Sequence, residues 1–274
     1  AHGAYLKFLP RSLHPMDLGA DLCCDSAHKT LPVLTGGAYL HMGSDWTAEE
    51  AKAAMALFGS TSPSWLILQS LDGANPLLEH LPGDIAALAP HIAALKGALL
   101  AHGFALVGAE PLKITVHAAK FGYSGEEMAE MLEKQGIFCE FADRDFLVFM
   151  LTPRNPPEEL DRLRAALCAL PRGARQEMPP IALARPKAAC TPRQAAFAPR
   201  ETIPVENSLG RILALANVSC PPAVPIVMCG EEIDEAAQEA LRRCGIEEVT
   251  VIKASPSGVA AMQQKVELNR RSRT

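Results

Sequence analysis

The sequence predicts an α/β fold in which helices pack on short sheets. Two observations carry this. Hydrophobic residues make up 49% of the 274 positions but aromatics only 5%, so alanine and leucine dominate, as suits helices laid on sheets. Segments with a three-to-four-residue apolar period also alternate with short apolar or period-two runs of strand type.

Taken in order, residues 18–24 read as a turn and a short buried strand, and 37–41 as a strand returning through the sheet. Thr47 caps a helix opened by Ala48-Glu49-Glu50, with Ala51, Ala54, Met55, Leu57 and Phe58 as its apolar side. Residues 59–63 form a turn-rich break, and Trp65-Leu66-Ile67-Leu68 fits either a helix start or a buried strand. Ile85, Leu88, Ile92, Leu95 and Leu99 line one face of a long helix, capped by Asp84, disturbed by Pro90 and ended by Gly103. Residues 104–107 and 112–117 are strands, the second alternating cleanly. Ser124 and Glu127 make a capping box for a helix that buries Met128, Met131 and Leu132 and stops at Gly136.

Residues 137–141 and 146–151 pair around Asp143-Arg144-Asp145, and Asn155-Pro156-Pro157 starts a helix with Leu160, Leu163, Leu167 and Leu170 on one face. Residues 171–199 are rich in proline, arginine and alanine without a period, the mark of a linker or extended crossover. A last unit, 203–252, should hold a helix around 207–216, a strand at 224–228, a helix at 233–244 and a strand at 248–252. The tail is polar and ends in Arg270-Arg271-Ser272-Arg273, open to disorder or to a helix on a partner. The division expected is 1–105, 106–172, a linker at 173–200, a subdomain at 201–253 and a tail at 254–274.

A formal charge of -5 without a basic stripe argues against a nucleic-acid partner. No apolar run of membrane-span length is expected, so no membrane partner either. The eight cysteines include no C-x-x-C pair; they read as mostly buried thiols of a reducing cytoplasm, with no metal site.

Lys29 is the candidate catalytic residue. It stands where a strand ends and a loop begins, the place where open α/β sheets bind ligands. Ser26, His28 and Thr30 offer hydrogen bonds around it, and Leu31 with Pro32-Val33-Leu34 brings the apolar bulk that favours the neutral amine needed for imine chemistry. On residues alone, an ordinary loop lysine is the competing reading.

The wording of several segments adds to this. Ala1-His2-Gly3, Gly19-Ala20-Asp21 and the run from Ser26-Ala27-His28-Lys29-Thr30 to Gly36 come first. Ser60-Thr61-Ser62-Pro63-Ser64-Trp65 with Ser70-Leu71-Asp72 follows, then Leu209-Gly210-Arg211-Ile212, and Pro221-Pro222-Ala223-Val224-Pro225-Ile226 leading to Gly230-Glu231. In this order they resemble the bacterial ornithine/lysine/arginine decarboxylases, pyridoxal-phosphate enzymes of the aspartate-aminotransferase fold. The likeness runs from residue 1 to about residue 235 and favours helix at Trp65.

The resemblance implies the C-terminal part of a cofactor-binding large domain, then a small α/β domain and a C-terminal α/β subdomain. It makes Lys29 the internal-aldimine lysine and the later proton donor. Ser26 and His28 would contact the cofactor phosphate, and His2 would line the cofactor ring. Ser60 and Thr61 would reach the phosphate of a neighbouring subunit, giving a homodimer or higher oligomer with shared sites; otherwise they are turn residues. Glu231 would hold the far cation of a basic amino acid; otherwise it is the first-turn acid of the following helix.

The implied activity is decarboxylation of arginine, lysine or ornithine to the amine, toward polyamines. The rivals are an aminotransferase or carbon-sulfur lyase on the same fold, and a non-catalytic truncated subunit. The family's acidic pair before Ala-His-Gly, whose aspartate holds the pyridine nitrogen, is not in this sequence. The chain therefore reads as the C-terminal portion of a longer polypeptide, inactive alone. Cys220-Pro221-Pro222-Ala223 replaces a usual tyrosine, two prolines and glycine, and Gly36 a common glutamine. His14, His41, His80, His91, His102 and His117 are expected to be structural or surface residues, and Cys24 a buried strand thiol.

Overall fold

The computed structural model describes residues 2–174, 186–216 and 225–253. Part of the expected linker (175–185), residues 220–224 of the proline-rich segment and the tail at 254–274 lie outside the described residues. The chain divides into two compact units, Ala1–Glu177 and Met178–Thr274.

The first unit opens with a 3-10 turn, Ala4–Phe8, whose Tyr5 is wholly buried; a second, Pro15–Leu18, precedes β1 (Leu22–Asp25). Strand β1 alternates outward and inward, so Cys23 and Asp25 enter the core. Cys24 therefore comes out exposed, against expectation. The one-turn helix α1 (Ala27–Thr30) follows directly, and β2 (Tyr39–Met42) returns antiparallel with Asp25 opposite Tyr39 and Cys23 opposite His41. The connecting loop depends on glycine: Gly36 has φ 94°, and a Cβ on Gly37 would collide with the Val33 side chain.

Helix α2 (Ala48–Ala56) has the expected Thr47 cap, completed into a capping box by Glu50, but none of its residues is buried. The segment at Trp65 is helical, α3 (Trp65–Leu78). Helix α4 (Leu81–His102) begins before Asp84, with Pro82 in its first turn, so Asp84 is a first-turn acid rather than the cap. Its buried stripe is the expected one, extended by Leu81, and Gly103 closes it at φ 100°. By length and composition α4 could span a membrane, contrary to the expectation of no such run. Its stripe instead belongs to the core of the unit, and its Lys96 ammonium donates to the Glu110 and Pro111 carbonyls.

Next come β3 (Leu106–Val107), β4 (Lys113–His117), α5 (Ala118–Phe121), α6 (Gly125–Glu133), β5 (Phe141–Ala142), β6 (Phe146–Met150) and α7 (Pro157–Cys168). The strands form one antiparallel sheet in the order β3-β4-β6-β5, with β4 and β6 paired along their length. The α6 capping box from Ser124 and Glu127 is present, with Met128 and Leu132 buried and Met131 packed at the edge. One hydrophobic core runs from Tyr5 and Leu31 through the α4 stripe, Ile114 and Leu147 to Leu163 and Leu167 of α7.

The second unit holds α8 (Pro192–Ala196), β7 (Arg200–Pro204), β8 (Leu213–Leu215), α9 (Glu235–Arg243) and β9 (Glu248–Ile252), with strand order β7-β9-β8. The helix expected around 207–216 is instead a 3-10 turn (Val205–Asn207) and strand β8. Gly210, at φ 73°, breaks any helix there, and the Leu213 amide donates to the Glu231 carbonyl. Residues 225–228 form no strand. Strand β7 escaped the sequence reading because Ile203 is its lone large apolar residue. Helix α9 starts later than expected, capped by Asp234, and leaves Ile233 fully buried ahead of it.

Candidate functional site

Lys29 lies in the single turn of α1, which the Leu31 amide closes onto the Ala27 carbonyl (2.8 Å). Its ammonium reaches across 111 residues to the carboxylate of Glu140, each side chain about a quarter exposed. Glu140 stands just before β5, and its own amide donates to the Val148 carbonyl of β6 (2.9 Å). The lysine turn and the four-stranded sheet therefore meet at one ion pair.

Ser26 and His28 share the turn. The Ser26 carbonyl accepts from the Lys29 amide (3.1 Å), and its hydroxyl makes no cap hydrogen bond. Both the amide and Nδ1 of His28 lie on the Gly37 carbonyl (3.2 and 3.0 Å). A carbonyl only accepts, so Nδ1 carries a proton and Nε2 is left to accept when the ring is neutral or to donate when it is charged. His2 is half-buried, and its pKa is lowered from the ordinary value, by burial first and then by the charges of Lys29 and Lys113, with Glu140 opposing. Lys113 is itself paired with Glu110 (2.9 Å). His2, Lys29 and Glu140 thus feel one another, with Ser26 and His28 on the same turn.

The remaining candidates stand elsewhere. Ser60 and Thr61 are exposed, and the Ser60 hydroxyl accepts from the Ser62 amide (3.1 Å). Glu231 is in the second unit, where its carboxylate accepts from the Met228 amide (2.8 Å). It precedes the N-cap of α9 by three residues, so it is not a first-turn acid of that helix.

Just before the lysine turn the structure gathers two histidines that look scattered in the sequence into one cluster. Asp25 is completely buried, and its Oδ2 meets His14 Nε2 at 2.7 Å and His41 Nε2 at 3.1 Å. The Cys23 thiol lies 3.6 Å from the other oxygen, and burial followed by the Asp25 charge pushes its pKa up. The nearest ligand atoms of His14, Asp25 and His41 all fall within 4.8 Å, close enough to surround a cation. The Met16 amide, however, donates to His14 Nδ1 (3.3 Å), which places the ring proton on Nε2, facing Asp25. That is the tautomer of a hydrogen-bonded pair, and a metal would need the same nitrogen bare. The available signal was Asp25 itself: a carboxylate at an inward strand position requires partners. Nothing local pointed to Glu140.

Two family descriptions match the chain, "Orn/Lys/Arg decarboxylase, major domain" over residues 1–89 and "Orn/Lys/Arg decarboxylase, C-terminal domain" over residues 175–244. The chain belongs to the Orn/Lys/Arg decarboxylase family. Among curated relatives of this decarboxylase family it is 29% identical over 268 residues to an uncharacterized protein, YaaO, of Bacillus subtilis, covering 89% of this chain and 54% of the relative. It is 29% identical over 263 residues to an arginine decarboxylase of the same organism, covering 86% and 52%. The chain spans about half the length of these relatives. In fold it is similar to the Francisella novicida lysine decarboxylase LdcF, with TM-score 0.70, 16% identity and coverage of 91% and 52%. Lysine decarboxylase A from Pseudomonas aeruginosa gives TM-score 0.68 at 16% identity, again covering 91% and 52%. The mixed α/β class expected from the sequence is thus that of lysine decarboxylase structures.

Proposed function

We propose that the protein is a pyridoxal-phosphate-dependent decarboxylase of a basic amino acid, arginine, lysine or ornithine, and that Lys29 carries the cofactor. The carrying observation is the company of the Lys29 amine: one turn that also presents Ser26 and His28, with His2 and Glu140 close by. The proposal concerns the whole protein, since the relatives named arginine decarboxylase are about twice as long as the matched region.

The residues of the turn fit the cofactor by donor chemistry. Lys29 Nζ would hold the aldehyde carbon, the Ser26 hydroxyl and the His28 ring would hold the phosphate, and the ring of His2 would line the heterocycle. When bound, the cofactor supplies an electron sink for the bond broken at the substrate Cα. The chain's own part is to orient that bond, exclude water and manage protons. Nζ, once released and protonated to the ammonium, could deliver a proton to the carbon that carbon dioxide leaves.

The charge that meets Lys29 is a carboxylate. Aminotransferases usually hold the substrate carboxylate with an arginine, and a decarboxylase must let that group go; the family match and the relatives named arginine decarboxylase support decarboxylation. Glu231 stays the candidate for the far ammonium or guanidinium of the substrate, with Oε2 already engaged by Met228. Ser60 and Thr61 are assigned to the site of a second copy. The exposed side chains of Leu57, Phe58, Trp65 and Leu66 around them support a homo-oligomer with shared sites. The setting proposed is the cytoplasm.

The test is release of carbon dioxide and amine by the full-length protein from arginine, lysine and ornithine in turn. One of the three should be turned over, and Lys29→Ala should abolish it. Turnover retained by that variant would remove Lys29 from the mechanism.

A further inference from the structure

We propose that Glu140 is the acid-base partner of Lys29 in attaching and releasing carbonyl groups, a role that rests on the assignment of Lys29 above. Nothing in the local sequence pattern around Glu140 suggests this role.

Geometry carries the case. Glu140 contacts Lys29 Nζ, and the two side chains arrive from separately anchored backbones. On one side α1 is closed by its own turn and tied through the His28 amide to Gly37. On the other, the Glu140 amide is fixed to Val148 of β6, next to the ladder that β5 makes with that strand. A carboxylate held this way meets the amine without searching for it. Lys113, the other lysine whose charge reaches His2, has a partner of its own in Glu110. Both members of the pair are partly shielded from water, so a proton passing between them need not be shared with bulk solvent.

The chemistry follows from that contact. An ammonium has no lone pair and cannot attack a carbonyl carbon. Glu140 Oε1 takes one proton from Lys29 Nζ and becomes a neutral acid. The Nζ lone pair then forms a C–N bond to the aldehyde carbon, and the carbonyl π electrons move to oxygen. In the resulting carbinolamine the proton on Glu140 is returned to that oxygen, and a second proton comes from nitrogen. The C–O bond breaks as water leaves, and a C=N bond is left on Nζ. Overall the ammonium and aldehyde give a protonated imine and one water, with Glu140 ending as the carboxylate it began as. The reverse sequence frees the lysine.

The test uses reductive trapping. Pyridoxal phosphate is mixed with the full-length protein stripped of cofactor, the reaction is quenched with borohydride at timed intervals, and the peptide containing Lys29 is weighed against the one containing Lys7. Lys7 is exposed and paired with Asp17, so it reports general lysine reactivity within the same molecule. Glu140→Gln keeps size and hydrogen-bonding reach and should slow labelling at Lys29 by about a hundredfold, the lower end of positioned acid-base assistance. Labelling at Lys7 should not change. Glu140→Asp should recover part of the rate, which a packing role would not produce. Equal Lys29 labelling in the parent and Glu140→Gln overturns the inference while leaving Lys29 as the cofactor lysine. A full-length parent protein that never labels at Lys29 sinks the lysine assignment, and this inference with it.

Discussion

Residues 22–42 and residues 46–68 lie side by side in the sequence and solve opposite problems. In the first, a buried carboxylate has two imidazoles on it, and the lysine ammonium has its own carboxylate. In the second, a well-capped helix and the start of the next expose large apolar side chains: Leu57 is 76% exposed, Phe58 93%, Trp65 76% and Leu66 69%. The first region is satisfied within the unit, while the second has local structure without a covered face. Capping boxes and periodicity form a helix locally, but burial is decided by what lies across from it.

The contrast can be broken most sharply at Lys29. Its replacement by alanine should remove covalent cofactor attachment completely, read as loss of the trapped adduct, while the melting temperature stays close to the parent's because the side chain is already part-exposed. The next largest effect is expected at Asp25. Asp25→Ala strands two imidazoles, one of them in the core, and should cost about 3 kcal/mol in a denaturant titration. His41→Ala should cost less than His14→Ala, since the His41 side chain is 39% exposed and that of His14 only 4%.

The second region should behave in the opposite way. Changing Leu57 and Phe58 to serine should alter stability of the isolated chain by no more than about 0.5 kcal/mol. The same change should shift the assembly toward monomer in light scattering; an unaltered mass would show that this face meets no second copy. The smallest effect is on His2, whose NMR titration midpoint should fall below the ordinary histidine value. Lys29→Met should raise it part of the way, leaving burial, the larger cause, in place. Because folding lowers this pKa, the unfolded chain takes up the proton first as pH falls, so acid weakens the fold through His2 and neutral pH does not.

What was legible in the sequence follows the range of the forces involved. The capping boxes at Thr47 and Ser124 and the α4 stripe are set within a few residues, and the structure has them as read. The strand ending before Lys29 was equally local. The helix expected at 207–216 failed because Gly210 and pairing to the distant β9 outweigh a modest apolar period. His14 looks like one of six scattered histidines in the sequence because its partner lies eleven positions away on another element. Glu140 was out of reach altogether, since no local rule links residues 111 apart.

The hydrogen bond from the Glu140 amide to Val148 turns the edge of the sheet into a ruler for the lysine. A slip of that segment by one residue against β6 would point the carboxylate to the opposite face of the sheet. Lys29 would then be without its counter-charge although neither residue had been altered. Errors of strand alignment during folding, and insertions near Asp143, should therefore register first at a lysine more than a hundred residues upstream.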